Sequence, residues 1–166
     1  MENSYLTTRL VINKLNLADH QFIMQLVNTP EWIKFIGNRN INTAEDAKLY
    51  IQKIIDSSDV NYWVVKFKET GTPIGVVTFI KRDYLEYYDI GFAFLSEFGN
   101  KGYAFEATSA VLNCMGKSHA HPRILATTIK ENINSIKLLK KLGFQFEGEI
   151  DNGKNELSLY AVDCSS

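Results

Sequence analysis

The chain is predicted to be an α/β (α+β) protein, one domain over residues 1–166 with a central mixed, mostly antiparallel sheet of about seven strands flanked by helices. Three observations predict it. Apolar residues recur at helical spacing near the start, gather into short runs through the middle, and return to helical spacing twice more. Turn residues mark the joins, with Glu69-Thr70-Gly71-Thr72, Lys81-Arg82-Asp83 and Asn152-Gly153 each lying between two apolar runs. Between Tyr88 and Ala107 an apolar strand passes through a glycine-bearing turn straight into a helix, as in a crossover to a parallel strand.

Taken in order, Leu10, Val11 and Ile12 suggest a first strand, and Ala18, Phe22, Ile23 and Leu26 give a helix its apolar stripe. Pro30 marks the start of a second helix. Thr43-x-x-Asp46 forms a capping box ahead of a third, whose inner face is Ala47, Tyr50, Ile51, Ile54 and Ile55. Three strands follow as a meander, roughly 62–68, 73–81 and 85–95. The helix after the glycine turn places Ala104, Thr108, Val111 and Met115 on one side, and 123–130 reads as the parallel strand it leads to. Asn132 or Asn134 caps the next helix, Ile136, Leu139 and Leu142 face inward, and Gly143 suits the position just past its end. A hairpin of 144–150 and 156–162 around Asn152-Gly153 closes the chain.

Composition excludes several function classes. With 45% apolar and 22% charged residues, a chain of 166 residues can bury a real core and shows no disordered tract or linker. Net charge is −1, from 18 basic and 19 acidic residues, so the basic excess of a nucleic-acid binder is missing. Two cysteines far apart, Cys114 and Cys164, indicate neither a disulfide framework nor a zinc site and suit a reducing cytoplasm. His119-x-His121 is followed by proline with no third ligand nearby, so no metal is assigned. No leader and no run near the roughly 18 apolar residues of a membrane span occur, so no membrane role is expected.

The turn Gly99-Asn100-Lys101-Gly102 carries the chemistry. The first N–H groups of a helix have no partner inside it, and its dipole leaves partial positive charge there, so an anion binds without needing a basic side chain. Gly99 and Gly102 can adopt positive φ and let a ligand approach the main chain, and Lys101 adds a cation. Neither the nucleotide-hydrolase nor the dinucleotide phosphate loop is present.

Together with Asn132-x-x-Ser135 and the later Gly143-Phe144, the run Gly99-Asn100-Lys101-Gly102-Tyr103-Ala104 resembles the acetyl-CoA motif of the GNAT N-acetyltransferases. Leu6-Thr7-Thr8-Arg9-Leu10, Asp19, Thr29-Pro30-Glu31, Phe35-Ile36-Gly37 and Asp89-Ile90-Gly91-Phe92 are similar to the branch of ribosomal-protein N-terminal (RimJ/RimL-like) acetyltransferases. Gly99 stands where that motif usually has Gln, Arg or an aromatic residue, and Asn100 where glycine is common. Neither departure removes an N–H group.

The resemblance implies transfer of an acetyl group from acetyl-CoA, a co-substrate, to a primary amine by direct attack in a ternary complex. The acceptor would be a ribosomal-protein N-terminus or a small molecule. It implies that pantetheine lies along the strand ending at Phe94-Leu95, that residues Gly99 to Ala104 hold the pyrophosphate, and that Asn132 bonds the amide arm. Asp89 and Glu86 on the central strand and Glu156 on the last are candidate bases, Asp89 being preferred, although it can equally be a structural hydrogen-bond partner. Where many relatives carry a tyrosine proton donor this chain has Leu139, which makes Ser135 the candidate donor to the departing thiolate, or only a cap residue. Lys137, Lys140 and Lys141 are either an exposed helix side or a 3′-phosphate contact. Trp32, Phe35, Tyr50, Tyr84, Tyr87 and Tyr88 suffice for an aromatic acceptor pocket as well as a core. The expected state is monomer or homodimer, and the alternative reading is a CoA-binding regulatory module without turnover.

Overall fold

The computed structural model describes residues 3–164. Its centre is an eight-stranded sheet in the order β1-β2-β3-β4-β5-β6-β8-β7, formed by Ser4–Leu6, Leu10–Lys14, Val60–Phe67, Pro73–Ile80, Asp89–Phe94, Arg123–Thr128, Gln145–Asp151 and Glu156–Asp163. Every neighbouring pair is antiparallel except β5 and β6. The predicted class holds, with one strand more than expected. Ser4–Leu6 is short and adds β1 at the edge beside β2, where an isolated Tyr5 gave no periodic signal.

Alternation sorts side chains to the two faces. Trp63 and Val65 face the helices α4 (Tyr103–Lys117) and α5 (Ile133–Lys141), in a core that includes Val111, Met115, Leu139 and Phe144. Tyr62 and Val64 face the other way, toward α1 (His20–Val27), α2 (Pro30–Phe35) and α3 (Ala44–Asp56), whose Ile23, Leu26, Trp32 and Ile51 complete a second core. Thr43 caps α3 reciprocally with Asp46, and Pro30 opens α2 behind the Thr29 cap. Ile55 of α3, expected inside, is 47% exposed, whereas Ile54 beside it packs on that core.

Two boundaries differ from the sequence reading. The third strand of the meander begins at Asp89 rather than Leu85, because residues 81–88 form a connection. Leu85, Tyr84 and Tyr87 of that connection pack on Leu125, Leu159 and Ala161, so its apolar residues cover β6 and β8 rather than pair as a strand. The final hairpin turns through four residues, Asn152 to Asn155, with Asn152 Oδ1 accepting the N–H groups of Lys154 and Asn155.

What positions the site is the junction of β5 and β6. The two parallel strands register only at Asp89 with Leu125, beside the bond from Leu125 N–H to the Tyr88 carbonyl. Beyond that point they diverge. β5 stays paired with β4 up to Phe94, and β6 with β8 up to Thr128, so each turns an unpaired edge toward the other. α4 makes the crossover between them, as the sequence suggested.

Candidate active site

At the open end of this wedge β5 leads through Leu95 and a 3-10 turn, Ser96–Phe98, into the bend that starts α4. Gly102 is the N-cap residue of α4 with φ of 81°, the left-handed region that favours glycine. Gly99 does not share that role. Its φ is −71°, and Asn100 takes the second left-handed position at 60°. Asparagine tolerates this conformation better than most residues, so the expected pair of positive angles is shifted by one residue.

The consequence is an uninterrupted row of donors. Gly99 N–H bonds the Ser96 carbonyl and Glu106 N–H bonds the Gly102 carbonyl. Among the described residues, no main-chain N–H from Asn100 to Phe105 finds an acceptor. Successive donors in a bend with left-handed residues, at the positive end of a 15-residue helix, are an arrangement able to take up an anion.

Aromatic side chains hold the bend from behind. The Phe67 ring meets Phe98 at 5.4 Å and Tyr103 at 5.0 Å, both edge-on. Tyr103 therefore packs behind the bend, while Lys101 is exposed. Phe94 is half-buried against the α4 core and Leu95 is buried on the opposite face. Arg9, Thr7 and Glu106, which nothing in the sequence linked, meet beside the bend. Glu106 Oε1 accepts from Arg9 Nε at 2.7 Å, and Oε2 accepts from Thr7 Oγ1 at 2.5 Å and from Arg9 N–H at 3.0 Å. Glu106 is partly buried, but these hydrogen bonds outweigh that and hold its carboxyl below the usual range. The available signal was an acid in the first turn of a helix.

Across the wedge, Asn132 is the N-cap residue of α5, its Oδ1 accepting Ser135 N–H at 3.3 Å. The Asn132 amide group and the Ser135 hydroxyl donate no hydrogen bond among the described residues, and both residues are half-buried. Leu139 is 1% exposed and belongs to the core. Lys137, Lys140 and Lys141 are exposed, Lys141 lying 4.3 Å above the Phe105 ring of α4.

The candidate bases are scattered. Asp89 is 3% exposed at the closed end of the wedge and accepts from Arg82 Nε at 2.7 Å. Burial pushes its carboxyl above the ordinary range, and the Arg82 guanidinium pulls it part of the way back. Glu86, expected on the central strand, is instead exposed on the connection before β5. Glu156 begins β8 and lines a cleft of about 310 Å³ with Lys130, Glu131, Glu149, Leu157 and Ser158; a hydrogen bond and charge repulsion from Glu149 raise its pKa.

The aromatic residues offered for an acceptor pocket separate. Trp32 and Tyr50 belong to the α1–α3 side, with Tyr50 Oη 3.2 Å from Tyr62 Oη. Tyr84 and Tyr87 of the connection pack on β6 and β8, and Tyr88 stacks on Phe79 at 4.8 Å beside His121.

Comparison with known proteins agrees with this architecture. The family model described as an acetyltransferase (GNAT) domain matches residues 9–145. An uncharacterized N-acetyltransferase, YnaD, of Bacillus subtilis is 32% identical over 142 residues, which are 86% of this chain and 82% of that protein. Ribosomal-protein-S5-alanine acetyltransferase from Vibrio fischeri superposes with a TM-score of 0.81 at 21% identity, over 99% of this chain and 98% of that one. Spermidine N-acetyltransferase from Vibrio cholerae, solved with CoA and spermine, gives 0.79 at 18% identity, over 95% and 97%. These last two show a shared fold. The family match and the relative settle membership: this chain belongs to the GNAT family and is an N-acetyltransferase.

Proposed function

We propose that this enzyme passes an acetyl group from acetyl-CoA directly to a primary amine, a protein N-terminus or a small molecule, with both substrates bound at once. The observation that carries this reading is the row of unpartnered N–H groups from Asn100 to Phe105, which suits a diphosphate. Gly99 to Ala104 would grip it, and the free edge of β5 to Phe94 and Leu95 would pair with an extended amide arm as an added strand does. Asn132, with Oδ1 occupied, keeps its amide N–H groups to donate.

The chemistry needs a neutral amine and a stabilised thiolate. A peptide α-amine has an ordinary pKa of about 8 and a lysine about 10.4, so a weak base suffices for the first. Asp89 is the proposed base: its raised pKa brings a carboxylate nearer the range where it can accept a proton. It lies five residues along β5 from Phe94, roughly 17 Å at the rise of a strand, at the inner end of the wedge. Glu86 is the reserve, acting through water. Ser135 is the proposed donor to the thiolate. Because a thiol pKa of about 8.5 makes a tolerable leaving group, Ser135→Ala should lower kcat by only about tenfold with KM for acetyl-CoA unchanged. Full kcat in that variant would leave Ser135 as a helix residue alone.

The relatives in fold include acetyltransferases named for a ribosomal protein and for spermidine, so both acceptor classes belong in the assay. The burial of Leu139 where a phenol is usual favours one other reading, a CoA-binding regulatory module. Release of free thiol from acetyl-CoA separates the two. An N-acetyltransferase releases it in proportion to added amine, whereas silence across α-amines, lysine peptides and polyamines with tight CoA binding would establish the module. No helix among the described residues is long and apolar enough to cross a membrane. The cytoplasm is the proposed location, and a monomer or homodimer the proposed state.

A further inference from the structure

We propose that Arg9 is a positioning residue for the anion cradle: from the β1–β2 turn, its guanidinium fixes the bend before α4 and compensates the one carboxylate in the first turn of that helix. The proposal rests on the reading of Asn100–Phe105 as the diphosphate site.

Three contacts converge on this side chain. Nη1 donates to the Lys101 carbonyl at 3.1 Å, in the middle of the bend. Nε donates to Glu106 Oε1 at 2.7 Å while the Arg9 main-chain N–H and Thr7 hydroxyl occupy Oε2. The Arg9 Cζ lies 4.3 Å from the centroid of the Tyr103 ring, so the fork is stacked as well as bonded. One planar group thus ties a turn near the chain start to both ends of the cradle.

The bend needs such a tie. Its own N–H groups are unpaired from Asn100 onward, and Asn100 holds a positive φ that an L-residue adopts reluctantly. Donors that must converge on an anion are effective only if they are already aimed before it arrives. Charge supplies a second need. The acidic side chain of Glu106 sits within one turn of the positive helix end, where it competes with a bound anion for the same field. With both of its oxygens accepting, and a cation against one, that repulsion is offset.

The test uses the full chain, coenzyme A as the calorimetric probe, and amide hydrogen exchange without ligand. Arg9→Met keeps an apolar stem against Tyr103 and donates nothing. It should weaken CoA binding about tenfold, speed exchange at Gly99 and Glu106, whose N–H groups are bonded at either end of the bend, and leave kcat at saturating acetyl-CoA within about twofold of the parent. Arg9→Lys, with a point charge but no fork, should fall between. Adding Glu106→Gln to Arg9→Met should restore part of the affinity. Three results overturn the proposal. One is a CoA affinity within about twofold of the parent in Arg9→Met, or in Arg9→Lys with parental exchange if the methionine variant does not fold. Another is weakened binding with exchange at Gly99 and Glu106 unaltered, which marks a direct ligand contact instead. The third, no heat from the parent with CoA, removes the diphosphate site itself and is told apart by the parent alone.

Discussion

Replacing Gly102 by valine is expected to raise the dissociation constant of CoA, and the KM for acetyl-CoA, by about 100-fold while the fold survives. The residue stands at φ of 81°, where a β-branched side chain is a genuine outlier. Held there, valine stores on the order of 1–3 kcal/mol of strain. A Cβ on this residue would also approach Arg9 Nη2 to 3.4 Å. The bend can relieve both by leaving the left-handed region, but then the N–H groups of Asn100 to Phe105 no longer converge. Stability therefore changes little and affinity changes greatly. Alanine, unbranched, should cost less, about tenfold. Calorimetry with CoA and steady-state kinetics at fixed amine check this, and a valine variant that binds CoA within threefold of the parent would remove the cradle from the reaction.

Asp89→Asn carries the other large effect, a fall in kcat of about 10²–10⁴-fold if this carboxylate takes the proton of the attacking amine. The sign with pH follows from burial. The active form is the carboxylate, so the rate should fall as pH drops through a pKa lying above the ordinary aspartate value. In Asp89→Asn that acid limb disappears. Arg82→Met should move it to higher pH, because Arg82 is what pulls the Asp89 pKa back down. Stability runs the opposite way from a surface salt bridge. With its folded pKa raised, Asp89 contributes most to stability below its unfolded pKa, and that contribution is lost as pH rises through the folded value. Asparagine retains an oxygen for Arg82 Nε, whose side chain is 38% exposed, so unfolding does not account for the lost rate. An Asp89→Asn enzyme whose pH–rate profile keeps its acid limb would return Asp89 to a purely structural pair.

The elements most legible in the sequence were those with local signatures. Thr43-x-x-Asp46, Pro30, Gly143 beyond α5 and the glycine turn before α4 each act within a few residues, and each sits where its chemistry requires. The connection of residues 81–88 misled because Tyr84, Leu85 and Tyr87 look like part of a strand, whereas they pack on Leu125 of β6 and on Leu159 and Ala161 of β8, nearly forty positions and more away. Glu86 was carried off the sheet by the same error. The bend before α4 was readable, but not that Asn100 rather than Gly99 turns left-handed, because that depends on the 3-10 turn drawing Gly99 N–H back to Ser96. Arg9 was unreadable as a partner of Glu106, since the two meet only when β2 is laid beside β3 and α4 packs across them.

A sheet torn open at its middle has two rims that no neighbouring strand satisfies. Between Asp89 and Leu125 a single rung joins five amino-proximal strands to three carboxy-proximal ones. Any elongated guest that fills this rift acts as mortar, and the whole molecule becomes harder to melt in step with the guest's abundance, by about 2.7 kcal/mol at a hundred times its dissociation constant. With the donor seated there as proposed, the enzyme is most fragile when starved of it.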